Sequence, residues 1–239
     1  MTAEKRQSVA GLGRGSKLGK YQVMKKIGEG GYSEVFKAKD TVEGIIVALK
    51  IPHVDVSGGQ KKTELLNEIR LVTKLKHKNI MPVKNADIID GRLVLATELS
   101  VGTLDDKSKP MAAGKIISIC HKVLEGLSFA HRHKMVHCDV TPGNIFLFGN
   151  NRAALGDFGI SFRREGRMET SDNFGTPGYV APEQAYGYPS YESDCFSVGV
   201  ILYEYITGVL PKWPFKWPFK GYKRLKDKTS VSFCNFIKK

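Results

Sequence analysis

The sequence predicts an α+β chain in two lobes, a small β-rich lobe followed by a larger, mainly helical one. Three observations predict it. Between residues 21 and 99, short β-branched runs alternate with glycine turns. A polar linker at 100–110 then marks a change in texture. Beyond it the apolar residues recur at helical spacing, over 112–131 and again over 193–207. A chain of 239 residues has room for one large or two small domains with a real core. The expected boundaries are a flexible basic arm at 1–20, a small lobe at 21–98 and a large lobe at 99–239.

The small lobe reads as five antiparallel strands and one helix. Residues 21–27 and 34–38 are strand-like and flank the turn Gly28-Glu29-Gly30-Gly31-Tyr32-Ser33. A glycine-rich hairpin lets backbone N–H groups approach phosphates without side-chain obstruction. Residues 44–51 form an apolar strand that nevertheless carries Lys50. An ammonium desolvated alone is costly, so Lys50 needs a partner. The helical pattern at 61–76 (Leu65, Leu66, Ile69, Val72, Leu75) places Glu68 beside its apolar stripe, a natural counter-ion. Strands at 83–89 and 93–99 are joined by Asp90-Gly91, a strong hairpin signal.

In the large lobe, Ile116, Ile119, Val123, Leu127 and Ala130 form the stripe of the first helix. Next come His137-Cys138-Asp139-Val140-Thr141-Pro142-Gly143-Asn144, the apolar run Ile145-Phe146-Leu147, and Asp157-Phe158-Gly159. A polar loop, a strand and a second polar loop bring Asp139, Asn144 and Asp157 to one small volume. Oxygen ligands of this kind suit Mg²⁺, which binds a few carboxylates together with phosphate oxygens. Residues 160–173 read as a mobile polar loop, and 175–183 hold too much Gly and Pro for regular structure. The helix at 193–207 is apolar on most sides, hence buried, and Asp194 near its start is expected to satisfy free backbone N–H groups.

Four cysteines without paired spacing suggest neither a disulfide framework nor a zinc ribbon and fit a reducing, cytoplasmic setting. His131, His133, His137 and Cys138 cluster like metal ligands, but the strand-like Met135-Val136 between them argues for structural roles. No apolar run reaches the roughly 18 residues of a membrane span, and the N-terminus has no signal-peptide pattern. The net charge of +13 is carried by the ends. Residues 1–20 hold five basic groups and one acidic, residues 212–239 nine and one, and the 191 between are balanced to within one charge. The body is therefore no specific nucleic-acid-binding fold, although the basic tails could touch acidic surfaces.

Taken together these motifs strongly resemble the Hanks-type serine/threonine protein kinase family, over about 21–211. The resemblance is carried in order by the glycine turn 28–33, Val47-Ala48-Leu49-Lys50, Glu68, Glu98, the loop 137–144, Asp157-Phe158-Gly159 and Ala181-Pro182-Glu183. It implies a bilobal protein-kinase-like fold that transfers the γ-phosphoryl of ATP, with Mg²⁺, to serine or threonine hydroxyls of protein substrates. By the same resemblance Lys50, held by Glu68, contacts the α- and β-phosphates. Asn144 and Asp157 hold the metal, and Asp139 orients the attacking hydroxyl and accepts its proton. Ile27, Gly28, Glu29, Gly30, Gly31, Tyr32 and Ser33 cover the phosphates. Val35, Ala48 and Phe146 sandwich the adenine, whose edge is read at Glu98, Leu99 and Ser100, with Thr97 as gatekeeper. Gly175-Thr176-Pro177 ahead of Ala181-Pro182-Glu183 resembles a serine/threonine-directed substrate platform.

The pattern departs from the family in four places. Ser33 replaces a glycine. Cys138 stands where an arginine usually pairs with a phosphate on the activation segment. Thr141 replaces a lysine that usually neutralises the transferring phosphoryl, and Arg163 or Arg164 is the cation available to substitute. After Pro211 comes the tandem repeat Lys212-Trp213-Pro214-Phe215 and Lys216-Trp217-Pro218-Phe219, then a helix start at 232, and no evident arginine partner for Glu183. The catalytic domain is thus expected to be C-terminally short. Retention of Lys50, Glu68, Asp139, Asn144 and Asp157 favours an active enzyme. The alternatives are a nucleotide-binding pseudokinase acting as scaffold or regulator, and a phosphotransferase acting on small molecules.

Overall fold

The computed structural model describes residues 11–30, 33–53, 66, 69–70, 72–158, 162–163, 175–212 and 215–238. The chain divides into two compact units, Met1–Lys76 with Pro82–Ser100, and His77–Met81 with Val101–Lys239.

The first unit is built on one antiparallel sheet. Its strands are β1 (Lys17–Leu18), β2 (Tyr21–Glu29), β3 (Ser33–Asp40), β4 (Ile46–Pro52), β5 (Val83–Ile89) and β6 (Arg92–Glu98). Their spatial order is β1-β2-β3-β4-β6-β5. Alternation sorts side chains onto two faces. Phe36, Val47, Leu49, Ile51 and Ala96 enter one apolar core with Leu18, Tyr21, Val23, Ala38 and Val94. Gly91, with φ +71°, makes the turn between β5 and β6 as Asp90-Gly91 predicts. Four described residues in the expected helix, Leu66, Ile69, Arg70 and Val72, have helical backbone.

The sheet has six strands where five are expected, because β1 falls in the stretch read as a flexible arm. Leu18 is buried and Leu12 packs on the same core. Gly15 N–H donates to the Val23 carbonyl at 2.8 Å, and Val23 N–H to the Ser16 carbonyl at 2.9 Å. Lys17–Leu18 therefore belongs to the sheet, and residues 12–16 are tied to it; a two-residue strand has no period by which its Gly- and Lys-rich surroundings could reveal it. Residues 1–10 lie outside the described residues.

In the second unit, α1 (Ala113–Arg132) packs against α3 (Tyr191–Thr207) and the strand β10 (Ala153–Leu155). The short strand β7 (Gly102–Thr103) precedes α1, and between the two helices come β8 (Met135–Val136), β9 (Ile145–Leu147) and β11 (Phe162–Arg163) and the single turn α2 (Pro182–Ala185). β7, β9 and β10 form one small sheet, and β8 pairs with β11 in another. The expected stripe of α1 is buried throughout. α3 starts on a capping box between Ser190 and Ser193 and ends on Gly208 with φ +77°.

After α3 the aromatic repeat folds back. Phe215 packs on Phe196, Phe219 on Tyr203, and Trp217 on Tyr222. The Tyr203 hydroxyl donates to the carbonyls of Phe219 and Lys220, each at 3.1 Å. Two further helices follow, α4 (Tyr222–Lys228) and α5 (Val231–Lys238).

Candidate active site

In the first unit, strand register decides which candidates share a face. Gly28 pairs with Val35, Val35 with Lys50, and Ala48 with Thr97. Cross-strand partners point to the same side, as do residues two apart on a strand. Gly28, Val35, Ala48, Lys50 and Thr97 therefore lie on one face, opposite the apolar core. This explains how Lys50 sits within an apolar strand, half-buried rather than inside the core. Ile27 is largely exposed, and Leu99 and Ser100 continue from the end of β6 with Glu98 as its last residue. The Lys26 ammonium bridges Glu29 and Glu34, at 2.7 and 2.5 Å. It holds the Glu29 carboxyl below the usual carboxylate range. Gly30 N–H closes the turn on the Ser33 carbonyl at 2.9 Å. Gly31, Tyr32 and Glu68 lie outside the described residues.

The second unit assembles the acid–amide cluster. Asn144 Nδ2 donates to the backbone carbonyl of Asp139 at 2.8 Å and to its Oδ2 at 2.9 Å. Thr176 donates to Asp139 Oδ1 twice, from its N–H at 2.9 Å and its hydroxyl at 2.7 Å. A carboxylate offers about four acceptor sites, so these three side-chain-directed bonds fix Asp139 and leave about one lone pair for a substrate hydroxyl. Because Asn144 spends its NH₂ on Asp139, its amide oxygen is the atom suited to a metal. Gly156 N–H donates to the Asn144 carbonyl at 2.9 Å, which places Asp157 one residue on, at φ +64°. A hard amide oxygen and a carboxylate are the donor set Mg²⁺ takes. A Cβ on Gly156 would meet the Phe146 ring at 2.7 Å, so glycine is required for that close approach.

His137 is fully buried. Its Nε2 donates to the Gly156 carbonyl at 3.0 Å, and its Nδ1 accepts the Asp139 N–H at 3.2 Å. It joins the two polar loops and packs edge-on against Phe158. His131 donates to Asp194 Oδ2 at 2.7 Å and His133 to the Phe129 carbonyl at 2.8 Å. The three histidines thus have separate structural partners.

Asp194 departs from its expected role. The start of α3 is capped by Ser190. The Asp194 carboxylate instead accepts the N–H groups of His137 and Cys138, at 2.9 and 3.0 Å. Residues 137–138 lie outside any helix or strand ladder, so the carboxylate gives their backbone donors charge-assisted bonds in a buried setting. Thr141 is buried. Cys138 is buried with φ +66°, and its carbonyl accepts from Gln184 Nε2 at 2.5 Å. Glu183 accepts from the Ser193 hydroxyl at 2.5 Å. Thr176, Gln184 and the true role of Asp194 were not read from the sequence. Only Gly175-Thr176-Pro177 signalled the first, as part of a platform.

This loop, with its aspartate fixed by an asparagine five residues on and a threonine from a Gly-Thr-Pro turn, can be set beside known families. The protein kinase domain model matches residues 21–227. The chain belongs to the protein kinase domain family. Serine/threonine-protein kinase PknE of Mycobacterium bovis is 30% identical over 218 residues, 88% of this chain and 37% of that protein. Cyclin-dependent kinase-like 1 of Caenorhabditis elegans is 33% identical over 82% of this chain and 57% of its own length. CBL-interacting serine/threonine-protein kinase 1 of Arabidopsis thaliana is 32% identical over 83% of this chain and 47% of its own length. This kinase-family chain therefore spans between about a third and somewhat over half of the length of these relatives. No helix among its described residues is long and apolar enough to cross a membrane.

Proposed function

We propose that this chain transfers the γ-phosphoryl group of ATP to serine or threonine hydroxyls of protein substrates. The observation that carries the reading is the Asp139 carboxylate, held by Asn144 and Thr176 with one acceptor site left. Residues 21–98 cover the nucleotide, and 99–239 carry the catalytic and substrate-binding groups. Lys50, paired with Glu68, meets the α- and β-phosphates. The backbone of 27–33 lies over them, while Val35, Ala48, Phe146 and residues 97–100 receive the adenine. Asn144 and Asp157 would hold Mg²⁺, which when bound neutralises phosphate charge. Asp139 receives the acceptor hydroxyl through its remaining lone pair and takes its proton as the new P–O bond forms and the bond from the γ-phosphorus to the departing ADP oxygen breaks. Most of the acceleration comes from orientation and fixed charge.

Cytoplasmic ATP and a reducing environment suit the four free cysteines. Lys212, Lys216 and Lys220 are exposed above the packed aromatic repeat, a cationic edge for acidic surfaces of a protein partner.

The test is transfer from labelled ATP with Mg²⁺ to a generic basic protein, wild type against Asp139→Asn. A loss on the order of a thousandfold is expected, in line with removal of a positioned base. Equal rates would refute the reading; tight ATP binding without transfer by the wild type would mark a nucleotide-binding scaffold instead. A second expectation follows from Cys138, whose buried side chain supplies no cation. Phosphatase treatment is expected to leave activity within about twofold, since no arginine there awaits a phosphate. Activity abolished by phosphatase and restored on rephosphorylation would contradict it.

A further inference from the structure

We infer that Gln184 is a positioning residue for Asp139, acting through the Cys138 carbonyl to hold the catalytic loop in its left-handed bend. The inference rests on the proposed phosphoryl transfer for its catalytic meaning, but its geometry stands on its own.

Cys138 has φ +66°, a conformation costing a non-glycine residue roughly 1–2 kcal/mol. Something must oppose relaxation. The residue is buried and both its backbone polar groups have side-chain partners from elsewhere in the chain. Its N–H donates to Asp194 Oδ1 at 3.0 Å, and its carbonyl accepts from Gln184 Nε2 at 2.5 Å. Gln184 is 1% exposed. The fit around this bond excludes a methyl group: a Cβ on Gly175 would lie 2.6 Å from the Cys138 carbonyl oxygen and 3.0 Å from Gln184 Nε2.

Both partners trace back to one rigid element. Asp194 lies on α3, and Glu183, beside Gln184, accepts the hydroxyl of Ser193 on the same helix. Cys138, the residue before Asp139, is therefore held through both its backbone groups, directly by α3 at its N–H and at its carbonyl by α2, which Ser193 ties to α3. If the Cys138 carbonyl were released, the bend could relax, and rotation there would carry the Asp139 carboxylate away from Thr176 and Asn144. The tie joins a neutral amide to a carbonyl. It needs neither a phosphate nor a cation, and salt does not screen it.

Two variants test this. Gln184→Leu keeps much of the bulk and removes the donor. Gln184→Glu replaces the amide with a carboxyl that donates only when protonated, and burial against a carbonyl favours that form. Steady-state transfer with ATP and a protein substrate is followed from pH 5.5 to 8.5, alongside hydrogen exchange at the amides of Asp139 and Thr176. The Leu variant is expected to lose on the order of tenfold to a hundredfold in kcat with the KM for ATP within about twofold. The Glu variant should match it at high pH and recover towards the wild type as pH falls, a profile that mere packing would not produce. Exchange at Asp139 and Thr176 should quicken while α1 stays protected. Unchanged kcat, no recovery at low pH, or loss of protection equally throughout α1 would overturn the inference. If the Leu variant does not fold, the pH profile of the Glu variant decides. If the wild type transfers no phosphoryl, the proposed activity falls, and exchange alone then decides whether Gln184 positions the loop.

Discussion

At the glycine turn after β2, one backbone bond from Gly30 to Ser33 closes the hairpin, and a Cβ added at Gly30 would find nothing nearer than 3.9 Å. At 137–144 the backbone is held by Asp194, Gln184 and Asn144, the histidine is fully buried, and a non-glycine residue is kept at positive φ. In the first region Gly30 has open space beside its backbone. The other is set before any ligand arrives. Under the proposed function the contrast fits two tasks: covering phosphates calls for backbone that can approach closely, whereas steering a proton calls for a carboxylate held to a fraction of an ångström.

Removing the charge behind the rigid loop should break the contrast most strongly. Asp194→Ala leaves two buried N–H groups and His131 without their acceptor, and is expected to cost about 3–5 kcal/mol of stability by urea denaturation. A loss below about 1 kcal/mol would mean the loop is held mainly by other contacts. Thr176→Val removes one hydroxyl donor to Asp139 while keeping shape. A fall in kcat on the order of a hundredfold is expected, about 2.7 kcal/mol in the transition state, with Thr176→Ser near the wild type. Equal activity of the Val and Ser variants would exclude a role for the hydroxyl. The smallest effect belongs to the hairpin. Gly30→Ala should change thermal stability by less than about 0.5 kcal/mol and raise the KM for ATP a few-fold. A large stability loss there would erase the distinction between the two regions.

Five of the six strands were legible because β-branched runs stand between glycine turns, but the apolar run Val47-Ala48-Leu49 hid the two faces, which only the pairing register separates. The pairing of Asp139 with Asn144 was legible because chemistry-bearing residues stood close together in the chain. Their supports were not. Thr176 and Gln184 stand 37 and 46 positions further along the chain than the loop residues they bond, and no local pattern encodes which backbone carbonyl a distant amide will find. Asp194 misled for a related reason. A carboxylate in a first helical turn is usually read as serving that helix, whereas Ser190 already does so. The strand at Lys17–Leu18 was hidden by composition, one buried leucine among glycines and cations.

The tandem Lys-Trp-Pro-Phe repeat raises a problem of alignment. Two identical copies could in principle occupy one aromatic seat in two ways, displaced by four residues, and hydrophobic burial alone would barely tell them apart. Unlike neighbours remove the degeneracy. Tyr222 stands five residues after Trp217, whereas Pro218 stands five after Trp213, so only the second tryptophan can meet that ring while Phe196 takes the phenylalanine of the first copy. One tyrosine outside the repeat thus acts as an index mark, telling an internally repetitive segment which of its copies belongs where.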